Sequence, residues 1–180
     1  MTGGGGGDNL IGVIKPFQGK EPRIAPSAWV SQQALLIGEV EVGEGSSIWP
    51  GAVIRADSGP VIIGKNCHIE ENCVIHGPTR MGDSVCLGPG AVVIEAEKIG
   101  SYVLIGSNAT VLRGAQLAGY CIITAGSLVK EKMEVPTRAV VAGVPGEIRR
   151  FLQSQDIREE LEGMIRALAP LAQQFKKEGL

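Results

Sequence analysis

The chain has 180 residues, 17 Lys+Arg against 19 Asp+Glu, a formal charge of -2 and a pI near 5.8. This balance excludes the electrostatic footprint that holds nucleic acid or an anionic membrane, and no apolar run approaches the ~18 residues of a membrane span. Glycine is abundant at 26 and aromatics make up only 4%, which suits a narrow interior with repeated tight corners, in one domain with an appendage.

Residues 1–9 include Gly3 to Gly7 and lack the apolar core of a signal peptide; they read as a flexible Gly-rich tail. The segment 10–145 carries one dominant signal. From Ile24 every sixth residue is aliphatic: Ile24, Val30, Leu36, Val42, Ile48 and Ile54, then, after a slip, Ile63, Ile69, Ile75, Met81, Leu87, Val93, Ile99, Ile105, Val111, Leu117, Ile123 and Val129. Neither a helix nor a flat strand keeps one position apolar at a period of six. A hexapeptide repeat does, when three short parallel strands make one coil of a β-helix. Residue n then stacks on n+18 at about 4.8 Å, and the ladder forms a continuous core.

Between Ile54 and Ile63 the spacing is nine residues instead of six, so a small loop with Asp57, Ser58, Gly59 and Pro60 is extruded, a place to look for function. The fifth place of each hexapeptide is small or β-branched and therefore a second inward position. Cys67, Cys73 and Cys121 occupy it, and with Cys86 they form no CxxC pair; they read as small core hydrophobes, not zinc or redox ligands. Glu97 is the charged residue that breaks this inward pattern, which suggests a local bulge. Trp49 and His68 are read as outward-facing, Trp49 as an exposed interface aromatic and His68 as an exposed histidine near a coil corner. Free thiols without a signal peptide point to the cytoplasm.

Ala142-Gly143-Val144-Pro145-Gly146 ends the repeats, and 146–180 reads as a C-terminal helical segment. Ser154 is placed to cap a helix beginning near Gln155. Ile157, Leu161, Met164, Leu168, Leu171 and Phe175 make one apolar stripe, expected to lie along the β-helix, and Pro170 predicts a kink or break.

The stretches Gly45–Asp57 (GSSIWPGAVIRAD), Ile69–His76 (IEENCVIH) and Ala125–Val129 (AGSLV) resemble the γ-class carbonic anhydrases. The likeness covers about residues 10–180. It implies a left-handed parallel β-helix assembled as a homotrimer, and in active members a divalent metal, usually zinc, held by three histidines from two neighbouring subunits. Residue by residue, the first of those histidines falls on His76, the second on Pro89 and the third on Ile94. The period of 18 stacks Ile94 on His76, and Arg55, one place after Ile54 in the coil below the slip, joins the same face; Pro89 falls on another, which a neighbouring subunit could present to His76. Proline and isoleucine cannot coordinate a metal, so no metal or other cofactor is expected, unless zinc or another divalent ion binds through altered ligands.

Those altered ligands can be named. An alignment from the other side puts Glu95 on the third ligand position, and Glu71 stacks with Pro89, so His76 with Glu95 and Glu71 could form a carboxylate-rich site; the alternative leaves these acids solvated outside the bulge. Arg55 and Asp57 match family positions at the subunit interface and active-site network, where an interfacial ion pair is expected. Glu70 stands where the family commonly carries a glutamine. No catalytic residue is assigned beyond the candidates Glu70, Glu71 and Glu95.

Three functions compete: a non-catalytic trimeric scaffold or subunit of a larger protein assembly; an enzyme using the intersubunit cleft for CO2 hydration with altered ligands or for acyl-CoA hydrolysis; and a hexapeptide acyltransferase with His76 as general base. The scaffold is favoured. No nucleic-acid partner and no membrane insertion are expected.

Overall fold

The computed structural model describes residues 13–179, with the backbone alone for 158–160; residues 1–9, read as a tail, lie outside that range. Among the described residues no helix is long and apolar enough to cross a membrane. Short parallel strands wind into a β-helix, and each pairs with the strand one coil away. Cys86–Leu87, Val92–Ile94 and Lys98–Ile99 form one such coil, and the register Leu87↔Ile105, Val93↔Val111 and Ile99↔Leu117 is the expected offset of 18. The strands stack into one sheet of 12 and another of 8.

The ladder is the core. Every member from Val30 to Val129 is buried, and Ile24 packs partly buried at its end. Each buried aliphatic contributes roughly 1.5–3 kcal/mol. Corners turn where coils approach too closely for side chains: a Cβ on Gly43 would sit 2.4 Å from the Gly64 carbonyl oxygen.

All four cysteines are free and buried. Burial pushes the Cys67 and Cys73 thiols up to about 12 and Cys121 to about 11. Since the thiolate is the reactive form, Ellman's reagent at pH 8 should label none of the four in the native protein at a rate near that of a free thiol, and all four in denaturant. Rapid native labelling of any one would show that its coil opens.

The extra residues after Ile54 do not leave the sheet as a separate loop. They form a bulge inside one long strand, Val53–Ile63, whose pairing with Leu35–Val42 jumps from Gly38↔Ala56 to Val40↔Val61. Both halves thus keep their inward aliphatics while 57–60 are displaced toward solvent.

The C-terminal segment differs from expectation in three places. The 146–180 region begins with a strand, Glu147–Phe151, which turns back antiparallel on Ala139–Ala142. Helix starts at Ser154, and the Asp156 carboxylate accepts from the Gln153 backbone N–H at 2.9 Å, so the cap sits one residue before Ser154. The first turns, Ile157–Glu162, are π-helical, and Gly163–Glu178 runs through Pro170 without a break. Pro170 is exposed, so water can satisfy the carbonyl deprived of its partner.

The helix does lie along the β-helix. Ile157, Leu161 and Ile165 close over Cys86 and Val140, and Phe175 meets Trp29 and Trp49. Trp49 is therefore not an exposed interface aromatic: it is 3% exposed, edge-on to Trp29 at 5.1 Å and against Phe175 at 5.2 Å. His68 is also buried, at 1%. Both point outward from the coil, as their places in the repeat require, but outward on this sheet means beneath the helix.

Candidate functional site

The bulge and the 18-residue register together build a polar cluster at His76. Parallel pairing aligns Arg55 with His76 and His76 with Ile94. Asp57 and Ser58, carried by the bulge, come back over the same imidazole. His76 Nε2 lies 3.1 Å from Asp57 Oδ1, 3.2 Å from Arg55 Nη2 and 3.4 Å from Ser58 Oγ. Arg55 Nε also reaches Asp57 Oδ2 at 3.3 Å.

These partners make opposite demands on one nitrogen. Arg55 only donates and the Asp57 carboxylate only accepts. The Ser58 hydroxyl proton goes to the Gly77 carbonyl, so Ser58 offers His76 only a lone pair. Protonated at Nε2, His76 donates to Asp57; unprotonated there, it accepts from Arg55. Partial desolvation acts to raise the Asp57 carboxyl, but its own backbone N–H, Arg55 and His76 outweigh that and hold it below the usual carboxylate range. Asp57 therefore remains an anion, ready to orient an imidazole and hold its proton.

The other candidate residues do not join this cluster. Ile94 stacks on His76 and brings no donor atom. Pro89 lies exposed at a corner, in line with Glu71 through the Gly90 N–H to Glu71 carbonyl bond. Glu95 follows Ile94, and its φ of +46° marks the expected bulge. Its carboxylate is held by Arg113 Nε at 2.7 Å and is largely buried. Neither fully solvated nor turned to His76, Glu95 is occupied by an ion pair. The bulge also moves the chain by one residue, so Ala96 fills the inward place and Glu97 is exposed, accepting from Gln116 Nε2 at 3.0 Å. The inward position assigned to Glu97 is thus corrected, because a charge has no partner in the column and the αL residue at 95 lets alanine take its place.

Glu70 lies on the helix-covered side, half-buried, where it accepts from the Cys86 thiol at 3.2 Å. Its carboxyl is raised, first by burial and then by the charge of Glu71, against the opposing thiol bond. Among the described residues of one chain, no three His, Cys, Asp or Glu side chains converge as a metal site. The groups around His76 offer one imidazole and one carboxylate, the latter already neutralised by Arg55. That set does not fit zinc, which takes three protein ligands and a water. Sequence reasoning missed Ser58 as a neighbour of His76; the signal was the slip itself, which had to return the chain over the strand it left.

A family model described as bacterial transferase hexapeptide (six repeats) matches residues 60–95. The chain is 40% identical over 147 residues to a probable carbonic anhydrase of Methanocaldococcus jannaschii, covering 79% of this chain and 92% of that protein. It is 32% identical over 148 residues to γ carbonic anhydrase 2, mitochondrial, of Arabidopsis thaliana, covering 77% of this chain. The chain spans about half the length of that plant relative (53%). Among solved structures it is similar to a hexapeptide transferase family protein from Anaplasma phagocytophilum, with a TM-score of 0.87 at 26% identity over 91% of this chain and 98% of that one.

Proposed function

We propose that this chain, which belongs to the γ-carbonic anhydrase-like family of hexapeptide-repeat proteins, is a cytoplasmic homotrimer with a degenerate metal site, serving as a non-catalytic scaffold or as a subunit of a larger protein assembly. The observation that carries this reading is the stack at His76: Ile94 is its strand partner in the next coil, Pro89 is the residue a neighbour would present, and neither has a side-chain donor atom for a metal. Glu95, the nearest alternative ligand, is committed to Arg113. An outward column running Val53, Val74, Val92, Thr110 and Leu128 is partly exposed, with Val74 at 38%, and offers a mainly apolar surface for association. Four free cysteines suit a reducing compartment.

Metal analysis of the purified oligomer tests the reading. The expected result is no stoichiometric zinc, cobalt or iron after dialysis against each metal, and no CO2 hydration above the uncatalysed rate. Stoichiometric metal that disappears in His76→Ala overturns it.

One observation favours a second reading, an enzyme that uses the intersubunit cleft for acyl-CoA hydrolysis or acyl transfer. His76 keeps a carboxylate to orient it and an alternative donor for its unprotonated state, the minimum for a general base. Acetyl-CoA titrated by calorimetry decides between the two: binding that is lost in His76→Ala supports the enzyme, and no heat supports the scaffold.

A further inference from the structure

The face built by Thr79–Met81, Lys98–Ile99, Gln116–Leu117 and Glu134–Val135 is not covered by the C-terminal helix and forms a shallow groove of about 1330 Å³. One residue of each coil points outward along it, because it stands one place before an inward aliphatic. From coil to coil that column reads Ile62, Arg80, Lys98, Gln116 and Glu134, and Ile148 lines the groove from the terminal strand. At about 4.8 Å per coil the column is roughly 19 Å long. Gly82, Gly100 and Ala118, one place after the aliphatics, keep the surface beside it low, so another surface can approach closely.

The charges on this column are left unbalanced. Earlier in the same column Arg23 and Glu41 stack and pair with each other, and at a corner Lys65 pairs with Glu44. Arg80 and Lys98 instead stack as like charges, one place before the paired Met81 and Ile99, an arrangement that repels. Among the described residues neither has a side-chain partner, and neither does Glu134, two coils beyond Lys98. The acid that feels Arg80, Glu39, is already held by Lys20. Gln116 donates its Nε2 to Glu97 at 3.0 Å, which leaves its carbonyl oxygen to accept from elsewhere.

From one end to the other the groove runs apolar, positive, positive, neutral, negative, apolar. Reversed end for end, that order is complementary to itself. A two-fold axis along the strands, between the Lys98 and Gln116 coils, sets the column of one copy against that of another with the β-helices antiparallel. It brings Arg80 to Glu134, Lys98 to the Gln116 carbonyl oxygen and Ile62 to Ile148, each twice. The parallel arrangement opposes like to like. Such an isologous pairing is the commonest symmetry of self-association, and complementary charge fixes its register.

We propose that this groove is a self-association face whose partner is a second copy of this chain, docked antiparallel through Arg80–Glu134 ion pairs. It is a different face from the Val74 column, so the inference goes beyond the trimeric scaffold and does not depend on it. Whatever oligomer survives when this face is broken is the unit on which the trimer is judged.

Sedimentation equilibrium of the full-length protein over a concentration series tests it. The wild type should reach a weight-average mass about twofold or more above that of Arg80→Glu or Glu134→Arg, since each single variant puts like charges at both contacts. Mixing the two variants in equal amounts should restore the larger species, because every contact then joins opposite charges, as should both substitutions in one chain. Salt at about 1 M, where the Debye length falls to about 3 Å, should shift the wild type toward the smaller species. A wild type no larger than the single variants overturns the proposal, as does a mixture that stays at the size of its components. A wild-type mass that salt leaves unchanged overturns it as well, and needs no variant to fold.

Discussion

Ile69→Ala is expected to lower the unfolding free energy by about 2–5 kcal/mol, the range for deleting a fully buried aliphatic and leaving its cavity. Ile69 is inaccessible to solvent and lies in the column between Ile48 and Leu87. Collapse cannot soften the loss. The residues above and below are pinned by backbone ladders at fixed spacing, so neither can move into the space without breaking its own strand pairing. A urea titration should show the midpoint falling with the slope unchanged. Val74→Ala, on the half-exposed outer column, provides the contrast and should cost less than about 1 kcal/mol in the isolated chain. Equal losses at the two positions would show that the ladder is not the principal core.

Acidification should destabilise the fold through His68 before the carboxylates titrate fully. Burial lowers its pKa from 6.5 to about 4, so the folded imidazole stays neutral where the unfolded one is protonated. Below about pH 6.5 the unfolded chain binds a proton that the folded chain refuses. Stability from this group is therefore complete above 6.5, declines between 6.5 and about 4, and levels off below 4. At ~1.4 kcal/mol per pKa unit the loss is about 3 kcal/mol. Among the described residues the facing polar groups are Ser47 at Nδ1, then Asn66, Ser84, Tyr102 and the Glu162–Arg166 pair; none of these supplies an unpaired anion to stabilise an imidazolium. The measurement is chemical denaturation across pH 7 to 4 for wild type and His68→Gln, whose side-chain carbonyl can still accept from Ser47. The wild type should lose about 3 kcal/mol more than the variant. Parallel curves would show that His68 admits water and a proton in the folded state.

Much of this molecule is legible in its sequence, because a solenoid turns tertiary contact into arithmetic. The ladder from Ile24, the offset of 18 and the stack of Arg55, His76 and Ile94 all follow from counting. So does the existence of an apolar helix stripe, although Ile165 and Ala172 face the β-helix while Met164 and Leu171 are exposed. The disturbance near Glu97 follows too, although the residue that adopts the αL turn is Glu95 and the one that enters the core is Ala96. A pattern of periods marks where the register fails but not which neighbouring residue absorbs the failure. That choice depends on a backbone angle and on the Arg113 guanidinium, which holds the Glu95 carboxylate.

Trp49 and His68 mark the boundary more sharply. Their places in the repeat put them on the outside of the coil, and there they are. Whether the outside meets water depends on the path of a helix more than 80 residues further along the chain, which closes over the 8-stranded sheet and not the other. The same closure makes His68 neutral, gives Cys86 and Glu70 to each other, and encloses a cavity above Ser84. Likewise the sequence shows three surplus residues after Ile54, while only the three-dimensional bulge brings Asp57 and Ser58 back to His76. Position within the coil is a local, periodic property and can be read residue by residue. Burial of the outer face and convergence of polar groups arise between segments distant in sequence, and only the folded chain decides them.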